Sequence, residues 1–366
     1  MSKRANGEGS FYFDEAKGLY RAMLTTPNGK RLTKSSKDED IVKDWLNEQR
    51  LLIGRSQHVE PHSMTLKEWL DEWLEVYSKP SVRPRTYDRN KSLLAHADSI
   101  GNIKLQNLTP SHIQRMYNSL SAYSGQTRRH IHNCLHNALQ QAVTNLLIHS
   151  NPTAGVKPPT VVKKEIEVFT KAEVKKLFEA GASYRFPVIL NIAYNTGMRL
   201  SEILALRWQD VDTKKGTVSI NQTVHRSDSA GVQFEEPKTA SSKRKITIPP
   251  DTIQALIAHK LKTGVQNGLL FVTMNNTPMH SGLYLKKIYN PIREKADVTE
   301  KGFHAFRHTH ASMLLSAGVP IQDVSKRLGH AKVSTTLDIY SHCMPLADEK
   351  ILRTIKRINI KQNGPV

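Results

Sequence analysis

The octapeptide HAFRHTHA, residues 304–311, brings three histidines and an arginine into one short stretch. A metal site is the first chemistry to test. His304 and His308 have the spacing of a zinc-binding helix, but Ala305 stands where such a helix carries its glutamate, and Arg307 between them would repel a dication. In a helix, His304 and Arg307 lie one turn apart on one face and present two donors toward one point, which suits a phosphate oxygen. What would attack that phosphate has to come from elsewhere in the chain.

Four other stretches carry fitting residue types: TGMRLSEI with Arg199 and Glu202, PKTASSKRK with Lys238, Lys243, Arg244 and Lys245, RLGHAK with His330, and TLDIYSH with Tyr340. Cutting a phosphodiester by attack of a phenol requires neutralised non-bridging oxygens. Arg199 and Arg307 supply guanidinium forks for this. The leaving 5′-oxygen must receive a proton, which a lysine with its pKa lowered by neighbouring arginines can give, and the basic hairpin offers several candidates. His304 and His330 can donate to the phosphate or take the proton of the phenol. Tyr340 is then the covalent nucleophile. Taken singly, Arg199 reads as a surface ion pair, Glu202 as an ordinary helix carboxylate and Tyr340 as packing. His308 and His310 are expected to pack or to face solvent, since no role is left for them.

Composition agrees with a nucleic-acid partner. The 366 residues carry a formal charge of +20 with pI near 9.8, which points to an extended polyanion. The net charge is +2 over residues 1–60, +6 over 61–165 and +12 over 166–366, so the two later segments share the excess. Only Cys134 and Cys343 are present, which excludes a disulfide framework and a four-cysteine metal site and leaves two reduced thiols. There is no run of 18 apolar residues, and MSKRANGEGS lacks the apolar stretch of a signal peptide; a cytoplasmic protein with no membrane partner is the expectation.

The elements that must position these residues can be read from periodicity. GSFYFDEAKGLYRAML and NGKRLTKSS read as short strands with turns, with Asn28-Gly29 as a hairpin signal, and DEDIVKDWLNEQRLLIG follows as a helix. From residue 64 the pattern turns helical. Thr65 and Glu68 form a capping-box pattern, and Leu66, Trp69, Leu70, Trp73, Leu74 and Tyr77 make a core stripe. RPRTYDRNKSLL, LTPSHIQRMYNSL with Thr109 as cap, and residues 126–148 complete a four-helix bundle, after which HSNPTAGVKPPTVVKKEIEV reads as an exposed linker. Three helices, TKAEVKKLFEA, FPVILNIAYNTG and RLSEILALRW, open the last segment. GTVSINQTV, VQFEEPKT and RKITIPP then suggest one three-stranded antiparallel sheet, and helices run to the end. The fold class is therefore multidomain and mainly α, with a small sheet-plus-helix module, a helical bundle and a mixed α+β domain. In the tail, Ile351, Leu352, Ile355 and Ile358 form an apolar stripe that must pack on its own domain or on a neighbouring protomer.

Arg199, then Lys238 in a hairpin, His304-x-x-Arg307, Leu328-Gly329-His330 and Tyr340 ten residues later resemble, in order, the catalytic set of the tyrosine recombinases, the integrase family. The resemblance covers residues 165–345. It selects Lys238 from the basic hairpin, because the family places its lysine in a Lys-Thr turn between strands and PKTASS fits that turn. It also implies that an acidic residue at the position of Glu202 orients the site. By the same resemblance, residues 1–60 form an arm-site DNA-binding module, 64–152 a helical core-binding (SAM-like) domain, 153–165 a linker and 166–366 the catalytic domain with its tail. The core-binding and catalytic domains would close a clamp around double-stranded DNA. The implied enzyme forms a 3′-phosphotyrosyl link, releases a 5′-hydroxyl and exchanges strands through a Holliday junction in a homotetramer, with no metal or other cofactor. Accessory DNA-bending and directionality proteins are expected partners. A phage or conjugative-transposon integrase is the reading that fits best. A type IB topoisomerase shares the chemistry, but the front module and domain order favour recombination. A DNA-binding regulator without catalysis is disfavoured by the full set of side chains, and a small-ester phosphohydrolase by the charge.

Overall fold

Three short strands, β1 (Ser10–Asp14), β2 (Leu19–Thr25) and β3 (Arg31–Ser36), pair antiparallel in the order β1-β2-β3. The structure is a computed structural model that describes residues 9–26, 29–54, 59–162, 166–237, 242–265, 267–341 and 355. Alternation along β2 buries Ala22 and Leu24. The helix α1 (Glu39–Gly54) lays Val42 and Leu46, one turn apart, against them. This is the expected sheet-plus-helix module. Its hairpin closes through Thr26 and Lys30 with Gly29 in the left-handed region; Asn28 lies outside the described residues.

The helical bundle starts at α2 (Leu66–Trp73), which Thr65 and Glu68 cap reciprocally as their spacing predicts. Leu66, Trp69, Leu70 and Trp73 are buried, and the Trp69 indole donates to the Ala138 carbonyl at 3.0 Å, so the largest core side chain is also polar-satisfied. The helices α3 (Pro84–Leu94), α4 (Pro110–Ser119) and α5 (Gly125–Thr144) complete it. The last of these ends earlier than the expected residue 148. Leu146 adopts φ +59°, and the Asn145 amide turns to the Tyr77 hydroxyl, so the chain leaves the helix there. The stretch read as exposed linker begins packed: Pro152, Thr153 and Val156 are buried around a 3₁₀ turn, and Asn151 caps it through the Thr153 N–H. Cys134 is buried in the bundle, where desolvation pushes its thiol up to about 12, and Cys343 lies outside the described residues.

Contacts divide the chain into two units, residues 1–163 and 164–366. The second opens with α6 (Lys171–Gly181), capped by Thr170 and Glu173, then α7 (Val188–Thr196) and the single turn α8 (Leu200–Ile203). The strands β4 (Val211–Asp212), β5 (Thr217–Ile220), β6 (Thr223–Ser227), β7 (Gly231–Glu235) and β8 (Arg244–Thr247) follow. They form two sheets, β4-β5-β8 and β6-β7, and not the single three-stranded sheet expected. GTVSINQTV breaks in its middle because Asn221 donates to the Asp210 carboxylate and Gln222 to the Ala205 carbonyl, which turns β6 away from β5. The helices α9 (Pro250–Thr263), α10 (Ser281–Tyr284), α11 (Asn290–Lys295), α12 (Ala305–Ser316), α13 (Ile321–Leu328) and α14 (Val333–Tyr340) complete the unit. An apolar core including Leu177, Ile189, Ile203, Leu256, Tyr289 and Phe306 holds α6, α7 and α12 in place. Apart from Ile355, the tail stripe lies outside the described residues. Among the described residues no helix is long and apolar enough to cross a membrane.

Candidate active site

Two glycine turns frame the site. Gly197 ends α7 at φ +65° and Gly329 ends α13 at φ +70°, a backbone region that residues with a Cβ rarely adopt. Space reinforces the choice. A Cβ on Gly197 would stand 2.8 Å from both His310 and Leu328, and one on Gly329 would stand 2.8 Å from the Arg244 guanidinium. Arg307, on α12, ties the two turns together: Nη1 donates to the Gly197 carbonyl and Nη2 to the Leu328 carbonyl, each at 2.8 Å. A guanidinium only 2% exposed is thereby held in one orientation, with donor capacity beyond those two bonds.

Immediately after the first turn, Arg199 caps α8. Its backbone N–H donates to Glu202 at 2.9 Å and its Nη1 to the same carboxylate at 2.9 Å. Glu202, 2% exposed, also receives both terminal nitrogens of Arg244 from β8, at 3.2 and 2.9 Å. Arg244 reaches on through Nε to the Arg327 carbonyl at 2.7 Å. Burial would raise the Glu202 carboxyl, but Arg244 foremost and then Arg199 hold it below the usual carboxylate range. Three guanidiniums therefore converge with one carboxylate among them, and the excess charge suits an anion.

The histidines divide by environment. His330 follows Gly329 and is fixed by a 2.8 Å contact between Nδ1 and the Thr336 hydroxyl. Its burial first, then Arg307, Arg199 and Arg244, push it down to about 4. His304, at the start of α12, is likewise pushed down to about 4 by desolvation and then by His308, Arg307 and Arg199, although its outer edge stays open to solvent. Both are neutral hydrogen-bonding rings near neutral pH, and an anion between the arginines would raise both. Burial and Arg199 also lower Arg307 to about 9, which leaves it cationic at neutral pH.

Tyr340 ends α14 and is 1% exposed. Its hydroxyl lies 2.7 Å from Nδ1 of His308, whose ring packs edge-on to His304 with centroids 4.8 Å apart. The phenol is within electrostatic reach of Arg307.

Of the six candidate catalytic residues, Arg199, His304, Arg307, His330 and Tyr340 fall in one region of the second unit, and Lys238, chosen by the family resemblance, lies outside the described residues. His310 packs, as expected. Its Nε2 accepts from Arg327 at 2.9 Å, so Nδ1 carries the proton and donates to the Tyr194 carbonyl at 2.9 Å. His308 departs from expectation, since it touches the phenol. Arg244 was one of three equivalent basic residues in the sequence; strand alternation was the available signal, because Arg244 and Ile246 share the inward face of β8 while Lys243 and Lys245 point out.

Comparison with known proteins bears on this geometry. Residues 167–345 match the phage integrase family, and residues 65–121 match the phage integrase N-terminal SAM-like domain. The chain is 30% identical to a tyrosine recombinase XerC-like protein of Caldanaerobacter subterraneus subsp. tengcongensis, over 98% of this chain and 100% of the relative. It is 28% identical to an integrase of a Staphylococcus phage, over 87% of this chain and 98% of that one. The solved structure of the Tn1549 transposon integrase in complex with transposon right end DNA aligns with a TM-score of 0.66 at 19% identity, over 81% of this chain and 100% of the other. A lambda integrase tetramer bound to a Holliday junction aligns with a TM-score of 0.59 at 17% identity, over 92% and 96% of the two chains. At such identities the structural likeness speaks for the fold.

Proposed function

The chain belongs to the phage integrase family and is a tyrosine recombinase, and on that premise we propose that Tyr340 cuts one strand of duplex DNA at a specific site and holds it as a 3′-phosphotyrosyl link. The observation that carries the assignment is the convergence of Arg199, Arg244 and Arg307 around the carboxylate of Glu202 with the Tyr340 phenol in electrostatic reach. In this reading Arg199 and Arg307 hold the non-bridging oxygens, where their charge matters most as the phosphorus becomes five-coordinate. His304 and His330, neutral and oriented, hydrogen-bond the same phosphate. Glu202 and Arg244 position Arg199. The Tyr340 oxygen bonds to phosphorus, the bond to the 5′-oxygen breaks, and Lys238 protonates the leaving oxygen. Attack by a 5′-hydroxyl from a second duplex reverses the step and joins the strands, so the bond energy is conserved. We extend this to a homotetramer acting on core and arm sites of a mobile element, in the cytoplasm; the tetramer of the lambda enzyme on a Holliday junction supports that extension.

The direct test uses a supercoiled plasmid carrying the joined ends of the element, recovered from cells that harbour it. Wild type is expected to nick it and leave a protease-sensitive covalent adduct. No adduct under conditions where the protein binds the plasmid would reduce the chain to a DNA-binding regulator.

Two further results are expected. Lys238→Ala should slow cleavage by about 10²-fold or more, as loss of a general acid does. Replacing the bridging 5′-oxygen by sulfur should restore most of that loss, because a thiolate leaves without a proton. Equal defects on both substrates would move the role to Lys243 or Lys245. Removal of residues 1–60 should preserve cleavage of a core site and abolish full integration, since the sheet-plus-helix module has its own core around Ala22 and Leu46 and in this reading binds a second DNA sequence. Unimpaired integration by the shortened protein would refute the arm-binding role. Net charge of only +2 gives this module little non-specific pull, so its binding should fall less steeply with salt than that of the rest of the chain.

A further inference from the structure

A phenol is a poor nucleophile until its proton has somewhere to go, and the site places an acceptor there. We propose that His308 is a catalytic residue: its Nδ1, 2.7 Å from the Tyr340 hydroxyl, receives the phenolic proton as the oxygen bonds to phosphorus. The inference rests on Tyr340 being the nucleophile.

Four observations support it. The hydroxyl is buried, with Tyr340 1% exposed, so bulk water is a poor competitor for its proton. Second, for Nδ1 to accept, the ring must be neutral with its proton on Nε2, and burial foremost, then Arg307, lower the His308 pKa, so the free base is the form present near neutral pH. Third, the groups facing the ring are disposed for one transient positive charge. Arg307 on its own helix opposes it, Glu167 from the segment ahead of α6 favours it, and His304 packs edge-on without a charge of its own near neutral pH. The fourth is register. His308 follows Arg307 on α12, so one rigid helix carries both the group that would hold the phosphate and the group that would relieve the nucleophile, and their separation does not depend on a loop.

The step balances without a further reagent. The O–H bond of Tyr340 breaks and its proton goes to Nδ1 of His308; the oxygen's electron pair forms the bond to phosphorus; the P–O5′ bond breaks and the leaving oxygen takes a proton from a separate donor. On rejoining, the tyrosine oxygen becomes the leaving group and His308 returns the proton. A single imidazole would serve both directions.

The test measures single-turnover adduct formation on the plasmid with joined ends, using full-length wild type, Tyr340→Phe, His308→Ala and His308→Asn, with gel-shift binding as the control for folding. Asparagine places a carbonyl oxygen close to where Nδ1 stands, so it keeps a hydrogen-bond acceptor that cannot hold a proton. Both His308 variants are expected to bind as wild type does and to cleave about 10²-fold or more slowly at neutral pH. Added imidazole should restore part of the rate of the alanine variant. The wild-type rate should fall in acid as His308 becomes protonated, whereas the variants should lose that limb and speed up as pH rises. A His308→Asn enzyme as fast as wild type would show that holding the hydroxyl suffices, and a faster His308→Ala enzyme would show that the contact restrains the tyrosine; either result overturns the proposal. Absence of adduct from wild type, or an adduct from Tyr340→Phe, would instead refute the assignment of the nucleophile.

Discussion

Tyr340→Phe is expected to bind the joined-end plasmid with wild-type affinity and to form no covalent adduct. The substitution removes one oxygen from a ring that is otherwise fully packed against Ala311, Leu315, Val324 and Leu328. Its effect on stability should be small, about 0.5–1.5 kcal/mol for the lost contact with His308. The effect on chemistry should be total, because no other group takes over a covalent nucleophile. A thermal melt and a gel shift establish that the protein is folded and bound, and denaturing electrophoresis then reads the adduct. A trapped adduct from the phenylalanine variant would sink the assignment of the nucleophile, whatever the behaviour of the arginines.

Glu202→Ala is expected to cost stability and activity together. The carboxylate is 2% exposed and accepts from Arg199 and Arg244, and the Arg244 side chain is itself only 6% exposed. Removing it leaves the buried Arg244 guanidinium near Arg307 without its counter-charge, a class of change that destabilises by about 3–5 kcal/mol, while the partly exposed Arg199 can turn to solvent. The melting temperature should drop by several degrees. Cleavage by the remaining folded protein should fall as well, because Arg199 loses the group that fixes its orientation. Glu202→Gln keeps the shape and loses the charge, so it should fall between the two. The pH dependence has a definite sign. The folded-state pKa of Glu202 is depressed, so its contribution is fully present above the ordinary carboxylate pKa of about 4.3 and is lost as pH falls below that value and through the depressed one. A Glu202→Ala protein that melts as the wild type does would mean that the two arginines find other partners.

Much of this molecule was legible before folding. The capping box at Thr65/Glu68 formed as spaced, because a cap is a local interaction within four residues. The stripe through Leu66, Trp69, Leu70 and Trp73 became the bundle core, because period 3.6 leaves an amphipathic helix one face to bury. The site residues were legible for a different reason. Each turn that carries one, Gly197 before Arg199 and Gly329 before His330, needs a glycine for its backbone, and the phosphate chemistry needs specific side-chain types, so both constraints show in the sequence.

What folding alone decided concerns partners distant in the chain. The split of the strands into two sheets hung on Asn221 and Gln222 finding Asp210 and Ala205, which β-patterning does not encode. Arg244 stood level with Lys243 and Lys245 until β8 turned it inward to Glu202, 42 residues away. His308 looked spare beside His304 and Arg307, and its contact with Tyr340 spans 32 residues and two helices. Helical spacing tells which side chains share a face. It does not tell what that face meets, because that depends on how α12 packs against α13 and α14, and on the two glycine turns and the Arg307 staples that hold the packing.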